Sequence, residues 1–142
     1  MENDEFHTQK GYYLKENRDI TLAMEDYLEM IYRLCQDEGF VRISNIAKQL
    51  NVTTSSASKM MTNLKNSELI HYEKYGIITL TQKGIALGEY LLYRHDLLNR
   101  FFCMINGSDN ELEQVEQIEH YINRETVENI EKLMSKLSDP KA

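Results

Sequence analysis

From Leu22 onward the apolar residues recur every three or four positions: Met24, Tyr27, Leu28, Ile31 and Leu34. That period puts them on one face of a helix, predicted over residues 22–36 and stopped by Gly39. Residues 1–20 show no period and read as a flexible N-terminal arm. "NIAKQL" predicts a short helix with Ser44 as its cap and Asn51 as its close. Thr53 then caps a second helix, "TSSASKMMTNLKN", with Val52, Ala57, Met60, Met61 and Leu64 facing inward. Two helices joined by a tight turn make a helix-turn-helix. In "LIHYEKYGIITLT" two β-rich runs flank a turn at Gly76, so a hairpin follows and completes a winged helix.

A long helix is predicted over residues 82–104. Within it, "FFCMI", residues 101–105, reads as core rather than interface. "NGSDNE" breaks the helix, and Ser108 with Glu111 forms a candidate capping box for the next one. That next helix contains "VEQIEHYI", with Val115, Ile118 and Ile122 as its apolar stripe. Glu116, Glu119 and His120 project beside the stripe. Asn123 caps a final helix whose stripe is Val127, Ile130, Leu133, Met134 and Leu137, and Pro140 ends the order. The class is therefore mostly α.

Composition changes this picture little, but charge distribution changes it a good deal. Apolar residues are 42% and charged residues 27% of the chain, a globular mixture without a run of about 18 apolar residues, so no membrane span or signal peptide is expected. Cys35 and Cys103 read as buried free thiols, too few for a thiolate zinc site. The net charge of −7 would by itself argue against nucleic acid. Yet residues 1–39 carry −6, residues 40–84 carry +4 and residues 85–142 carry −5. A basic module between acidic segments suits phosphate at the centre and a cation at the flanks.

Candidate chemistry lies in those flanks. Asp26 and Glu29 share a helix face, roughly opposite the apolar stripe. His95 lies on the long helix. Glu116, Glu119 and His120 follow on the next. Each group alone reads as solvated surface. Together they place four carboxylates and two imidazoles beside stripes that must pack together, and gathering the carboxylates without a cation raises repulsion. Carboxylate with imidazole suits Mn²⁺, Fe²⁺, Co²⁺ or Zn²⁺. No thioether or thiol is expected beside these positions, which leans towards Mn²⁺, although affinity order alone favours Zn²⁺. "EQIEH" resembles an inverted zinc-peptidase motif, but Glu116 stands where that motif needs histidine. No nucleophile–base pair or phosphate loop is evident, so a hydrolase or a metal buffer is the lesser alternative.

"AMEDYLEMIYRL", "SSASKMMTNL", "YEKYGIITLTQKG", "LLYRHDLL" and "VEQIEH" resemble the diphtheria-toxin-repressor family, specifically its short manganese-responsive branch of manganese transport regulators. The resemblance spans residues 22–137. It implies a winged helix-turn-helix DNA-binding domain over 21–83 and a helical metal-binding and dimerisation domain over 84–142. It implies Asp26, Glu29, His95, Glu116, Glu119 and His120 as ligands of two Mn²⁺ ions per subunit, with Fe²⁺, Co²⁺, Zn²⁺ or Cd²⁺ as substitutes. The implied function is a cytoplasmic repressor, not an enzyme. As a metal-loaded homodimer it would bind near-palindromic double-stranded operator DNA and control metal-ion uptake genes, without a membrane or a small-molecule substrate. An iron- or zinc-responsive repressor of the same fold is the alternative. Candidate DNA contacts are Thr54, Ser55, Ser56, Ser58, Lys59, Lys65 and Lys74. Dimerisation is expected through the last two helices and part of the long one. Gly76 stands where the branch carries an Arg-Gly pair in the wing.

Overall fold

A computed structural model describes residues 20–73 and 76–138. Lys74, Pro140 and all but the last residue of the N-terminal arm lie outside the described residues. The first helix, α1 (Leu22–Glu38), opens with the Thr21 hydroxyl accepting from the Met24 N–H at 3.1 Å. It closes at Gly39, whose φ of 81° is the left-handed conformation that suits glycine. A two-residue strand, β1 (Val41–Arg42), leads into α2 (Ile43–Leu50) and α3 (Thr54–Asn66). Ser44 is not the cap of α2. The helix starts two residues earlier than that cap would set it, at Ile43, from the extended Arg42, which makes no side-chain cap bond. Pairing of Arg42 with Ile77 holds that residue extended and so sets the helix start. Asn51 closes α2 in the left-handed conformation, and Thr53 caps α3 by accepting from Ser56 N–H at 3.0 Å.

The wing is β2 (Ile70–Tyr72) and β3 (Ile77–Leu80). The sheet has three strands in the order β1-β3-β2, all antiparallel, with Tyr72 and Val41 flanking Ile78. Leu28 and Ile31 of α1, Ile46 of α2, Met61 and Leu64 of α3, Ile78 of β3 and Leu91 of the next helix form one buried core. Val52 is exposed and stays outside it.

The long helix α4 (Gln82–Asn106) is capped by Thr81 and packs along α1. Helices α5 (Leu112–Ile118) and α6 (Arg124–Ser138) follow, joined by a 3₁₀ turn over Glu119–Tyr121. The Ser108–Glu111 capping box does not form. The Glu111 N–H instead donates to Asn99 Oδ1 on α4 at 2.9 Å, and Asn110 Oδ1 accepts from Leu112 N–H. Asn123 does cap α6, accepting from Thr126 N–H at 2.9 Å. Tyr93 and Glu131 share a hydrogen bond between α4 and α6, and the Arg124 guanidinium lies 3.7 Å over the Tyr90 ring. Phe101 to Cys103 are half-buried, and Met104 and Ile105 are exposed, so "FFCMI" is not core. The loop that follows is itself exposed and covers neither residue. Cys35 is buried and Cys103 half-buried, both as free thiols.

Candidate metal centre

Three elements meet beneath the winged helix: the first turns of α1, the middle of α4, and the turn after α5. Glu29 lies one helical turn after Glu25 and one before Arg33, so all three share a side of α1. That side is turned inward. Glu29 is buried rather than facing solvent opposite the stripe, because α4 covers it. Its carboxylate accepts from Arg33 at 2.7 Å.

On the far side the expected helix stops early. α5 ends at Ile118, so Glu119 and His120 sit on the 3₁₀ turn while Glu116 stays on the helix and exposed. The three residues therefore do not share one helical face. Glu119 lies four residues after the buried Val115 and follows it into the interior, with only 3% of its surface exposed. There it meets His95 of α4, whose Nδ1–H donates to Glu119 Oε1 at 3.0 Å. Ligand atoms of Glu29, His95 and Glu119 all lie within 4.8 Å of one another. Asp26, Glu116, Met30, Arg33 and Leu50 line the same cleft. Met30 is a thioether-bearing residue in the lining of this cleft, where the sequence suggested none beside the ligand positions.

His120 turns to the other side of the cleft. Carboxylates can only accept, so both its ring nitrogens donate: Nδ1–H to Glu25 Oε1 at 2.7 Å and Nε2–H to Asp26 Oδ1 at 2.8 Å. Glu25 also accepts from Arg94 at 3.1 Å. Five of the six sequence candidates thus close around one cleft, and the sixth, His120, is joined to it through Asp26. The sequence reading missed Glu25, Arg33 and Arg94. The four-residue ladder Glu25–Glu29–Arg33 was the available signal for two of them. Arg94 carried none beyond its place beside His95.

Electrostatics follow from crowding. Burial pushes the Glu29 carboxyl up, and the Glu119 charge pushes it further, against the pull of Arg33. The Glu119 hydrogen bond raises His95 against desolvation. For His120 burial is the largest single influence and acts downward. The hydrogen bonds and charges of Asp26 and Glu25 together overcome it and lift the imidazole to about 9. A pKa raised above the usual 6.5 stabilises the fold fully below about pH 6.5, and that contribution is lost as pH rises through about 9. Protons and a cation compete for the same imidazoles, so cation affinity should rise across the same interval. Thermal melts with chelator at pH 6 and pH 9 check the first part. Wild type should lose more stability than His120→Gln between the two, and equal losses would contradict the assignment.

The donor set fits a divalent cation. It offers carboxylates and imidazoles from three elements, clustered and largely shielded from water. Six of the seven candidate DNA contacts lie on α3. Thr54, Ser55, Lys59 and Lys65 are exposed on α3, as is Ser56, whose backbone and hydroxyl both bond Thr53. Ser58 is half-buried, its hydroxyl 3.2 Å from that of Tyr72 in the wing.

Residues 19–78 match the family model described as "Iron dependent repressor, N-terminal DNA binding domain". Residues 81–140 match "Iron dependent repressor, metal binding and dimerisation domain". Among solved structures, the chain is similar to ScaR with bound Zn²⁺, at 28% identity and a TM-score of 0.69, over 79% of this chain and 53% of that one. It is similar to the manganese regulator SloR at 28% identity and a TM-score of 0.68, over the same shares. It therefore spans about half the length of either protein. A DNA complex of S. aureus MepR is similar at 26% identity and a TM-score of 0.53, over 92% of this chain and 88% of that one. With a winged helix in front, a cation-ready cluster behind it, and both matching models drawn from one family, the chain belongs to the iron-dependent repressor family.

Proposed function

We propose that this chain is a manganese-dependent, cytoplasmic transcriptional repressor that binds a near-palindromic operator as a homodimer and controls metal-ion uptake genes. One observation carries the reading: Glu29 of α1 meets His95 of α4 and Glu119 of the turn. α1 is built into the winged-helix core, whereas Glu119 lies beyond it. On this reading residues 21–83 are the DNA-binding domain and 84–142 the metal-binding and dimerisation domain, with residues 1–20 as an arm. Asp26, Glu29, His95, Glu116, Glu119 and His120 would hold two Mn²⁺ ions per subunit. A bound cation supplies charge that ties the three elements together in place of protons. The residues of α1 and the turn then hold the winged helix at one angle. In a dimer that angle sets the separation of two α3 helices, which must enter successive major grooves roughly 34–36 Å apart.

Operator binding measured by fluorescence anisotropy with Mn²⁺ and with chelator tests this. Affinity should rise about 5- to 150-fold with the metal, the range of a coupling of about 1–3 kcal/mol. Equal affinities would end the proposal. An oxygen-rich donor set supports Mn²⁺. Met30 in the cleft favours a second reading, an iron- or zinc-responsive repressor, with Co²⁺ or Cd²⁺ as further substitutes. Titrating Mn²⁺, Fe²⁺ and Zn²⁺ against one operator separates the two.

Leu133 and Leu137 of α6 and Met104 and Ile105 of α4 are exposed, which supports dimerisation through this end of the molecule. On DNA, Lys59, Lys65 and Lys74 would meet phosphates, while Thr54, Ser55, Ser56 and Ser58 supply hydroxyls. The bonds of Ser56 to the cap and Ser58 to Tyr72 leave Thr54 and Ser55 freer to read bases. Lys59→Ala should weaken binding to all sequences and reduce the salt slope by about 1; an unchanged slope would remove Lys59 from the phosphate contacts.

A further inference from the structure

Glu25 is not among the residues assigned as ligands, yet its carboxylate is tied to more elements than any of theirs. Oε1 accepts from His120 Nδ1–H at 2.7 Å and from Arg94 at 3.1 Å, so α1, α4 and the 3₁₀ turn converge on one oxygen. Arg94 lies 3.3 Å from the same Nδ1. A guanidinium has no acceptor, and at 2.7 Å the carboxylate requires a proton between it and the ring. That proton belongs to Nδ1. Glu25 and Arg94 side chains are 13% and 5% exposed, so this side of the imidazole faces the interior. The Nε2 side faces Asp26, whose side chain is 59% exposed and lines the cleft.

We propose that Glu25, braced by Arg94, is a positioning residue that holds His120 as the Nδ1–H tautomer and reserves Nε2 for a divalent cation entering beside Asp26. The proposal rests on the metal centre proposed above and adds to it which nitrogen binds and what selects it. The physical reason is an imidazole's two-sidedness: a hydrogen bond at one nitrogen decides which is left for the metal, and it raises the basicity of that nitrogen. Glu25 can do this because Arg94 offsets its charge and fixes its rotamer. Asp26 faces the opposite ring nitrogen and cannot substitute.

The test uses the full-length chain labelled with ¹⁵N-histidine and titrated with ¹¹³Cd²⁺, a diamagnetic probe. Long-range proton–nitrogen spectra resolve both ring nitrogens of His95 and His120. In wild type, His120 should retain a proton on Nδ1 while Nε2 shifts and couples to the cadmium. Glu25→Gln keeps the shape but replaces the carboxylate with a neutral acceptor. It should lower cadmium affinity at His120 by about tenfold and move the Nδ1 proton upfield, with His95 coordination unchanged. Arg94→Lys, which keeps a positive charge without the fork, should do the same more weakly, and it serves if Glu25→Gln does not fold. Coordination of His120 through Nδ1, or Nε2 coordination unaltered in both variants, overturns the proposal while His95 coordination leaves the metal centre standing. If cadmium shifts neither histidine, both fall together.

Discussion

Glu119→Gln should remove the metal dependence of operator binding while leaving the fold intact. Glu119 is almost wholly buried and faces both His95 and Glu29. Glutamine keeps its volume and can still accept the His95 Nδ1–H, so little packing is lost. What disappears is a charge where the turn faces Glu29 of α1 and His95 of α4. Partners one step removed from a metal already change affinity about 10–100-fold, and a direct donor should change it at least that much. Isothermal titration with Mn²⁺ should show this loss. Anisotropy should show operator affinity with metal falling to the level of chelated wild type. Circular dichroism should match wild type. A variant that still responds to Mn²⁺ like wild type would remove Glu119 from the site. Glu119→Ala is the harsher form, since it also strands a buried imidazole without its partner.

Gly84→Ala should be the most damaging single-methyl change in the winged-helix junction. A Cβ there would lie 2.0 Å from the Leu69 carbonyl oxygen and 3.0 Å from its carbonyl carbon. Neither can retreat. The same oxygen accepts from Thr81 N–H at 3.1 Å, and Leu69 is fully buried. Thr81 is in turn the cap of α4. Relief requires α4 to lift off the winged helix, so a loss of about 3 kcal/mol or more is expected, despite the better helix propensity of alanine. In a domain of this size that lowers the melting temperature by about 10 °C. Gly88 gives the internal comparison. Its Cβ would meet Tyr32 Cγ and Cδ1 at 2.7 Å and Tyr32 Cβ at 2.8 Å, a milder overlap than the 2.0 Å approach at Gly84. Gly88→Ala should therefore cost less. If urea unfolding ranked the two in the opposite order, the Leu69 carbonyl would not be the decisive contact.

Much of the architecture was readable because its signals are local. A threonine before a helix or an asparagine at a left-handed close needs only its neighbours, which is why Thr53, Asn51, Gly39 and Asn123 behave as the sequence suggests. Where a distant residue takes the same hydrogen bond, the local rule gives way. Asn99 claims the Glu111 N–H that the capping box would have used, and Ile77 holds Arg42 extended so that α2 starts before Ser44. β1 has no signal of its own, since its two residues become a strand only against β3, more than thirty positions away.

The metal centre divides along the same line. Residue types and helical spacing determined by themselves that carboxylates and imidazoles would lie near packing faces, and that their number called for compensating charge. Tertiary structure alone decided that Glu29 and Glu119 are interior, that Glu116 lies exposed on α5 before the turn, and that Arg94 and Glu25 support His120. Period and type are properties of a few consecutive residues. Burial, the end of α5 and the meeting of α1 with a turn some ninety residues later depend on how helices stack, and no short window of the chain contains that information.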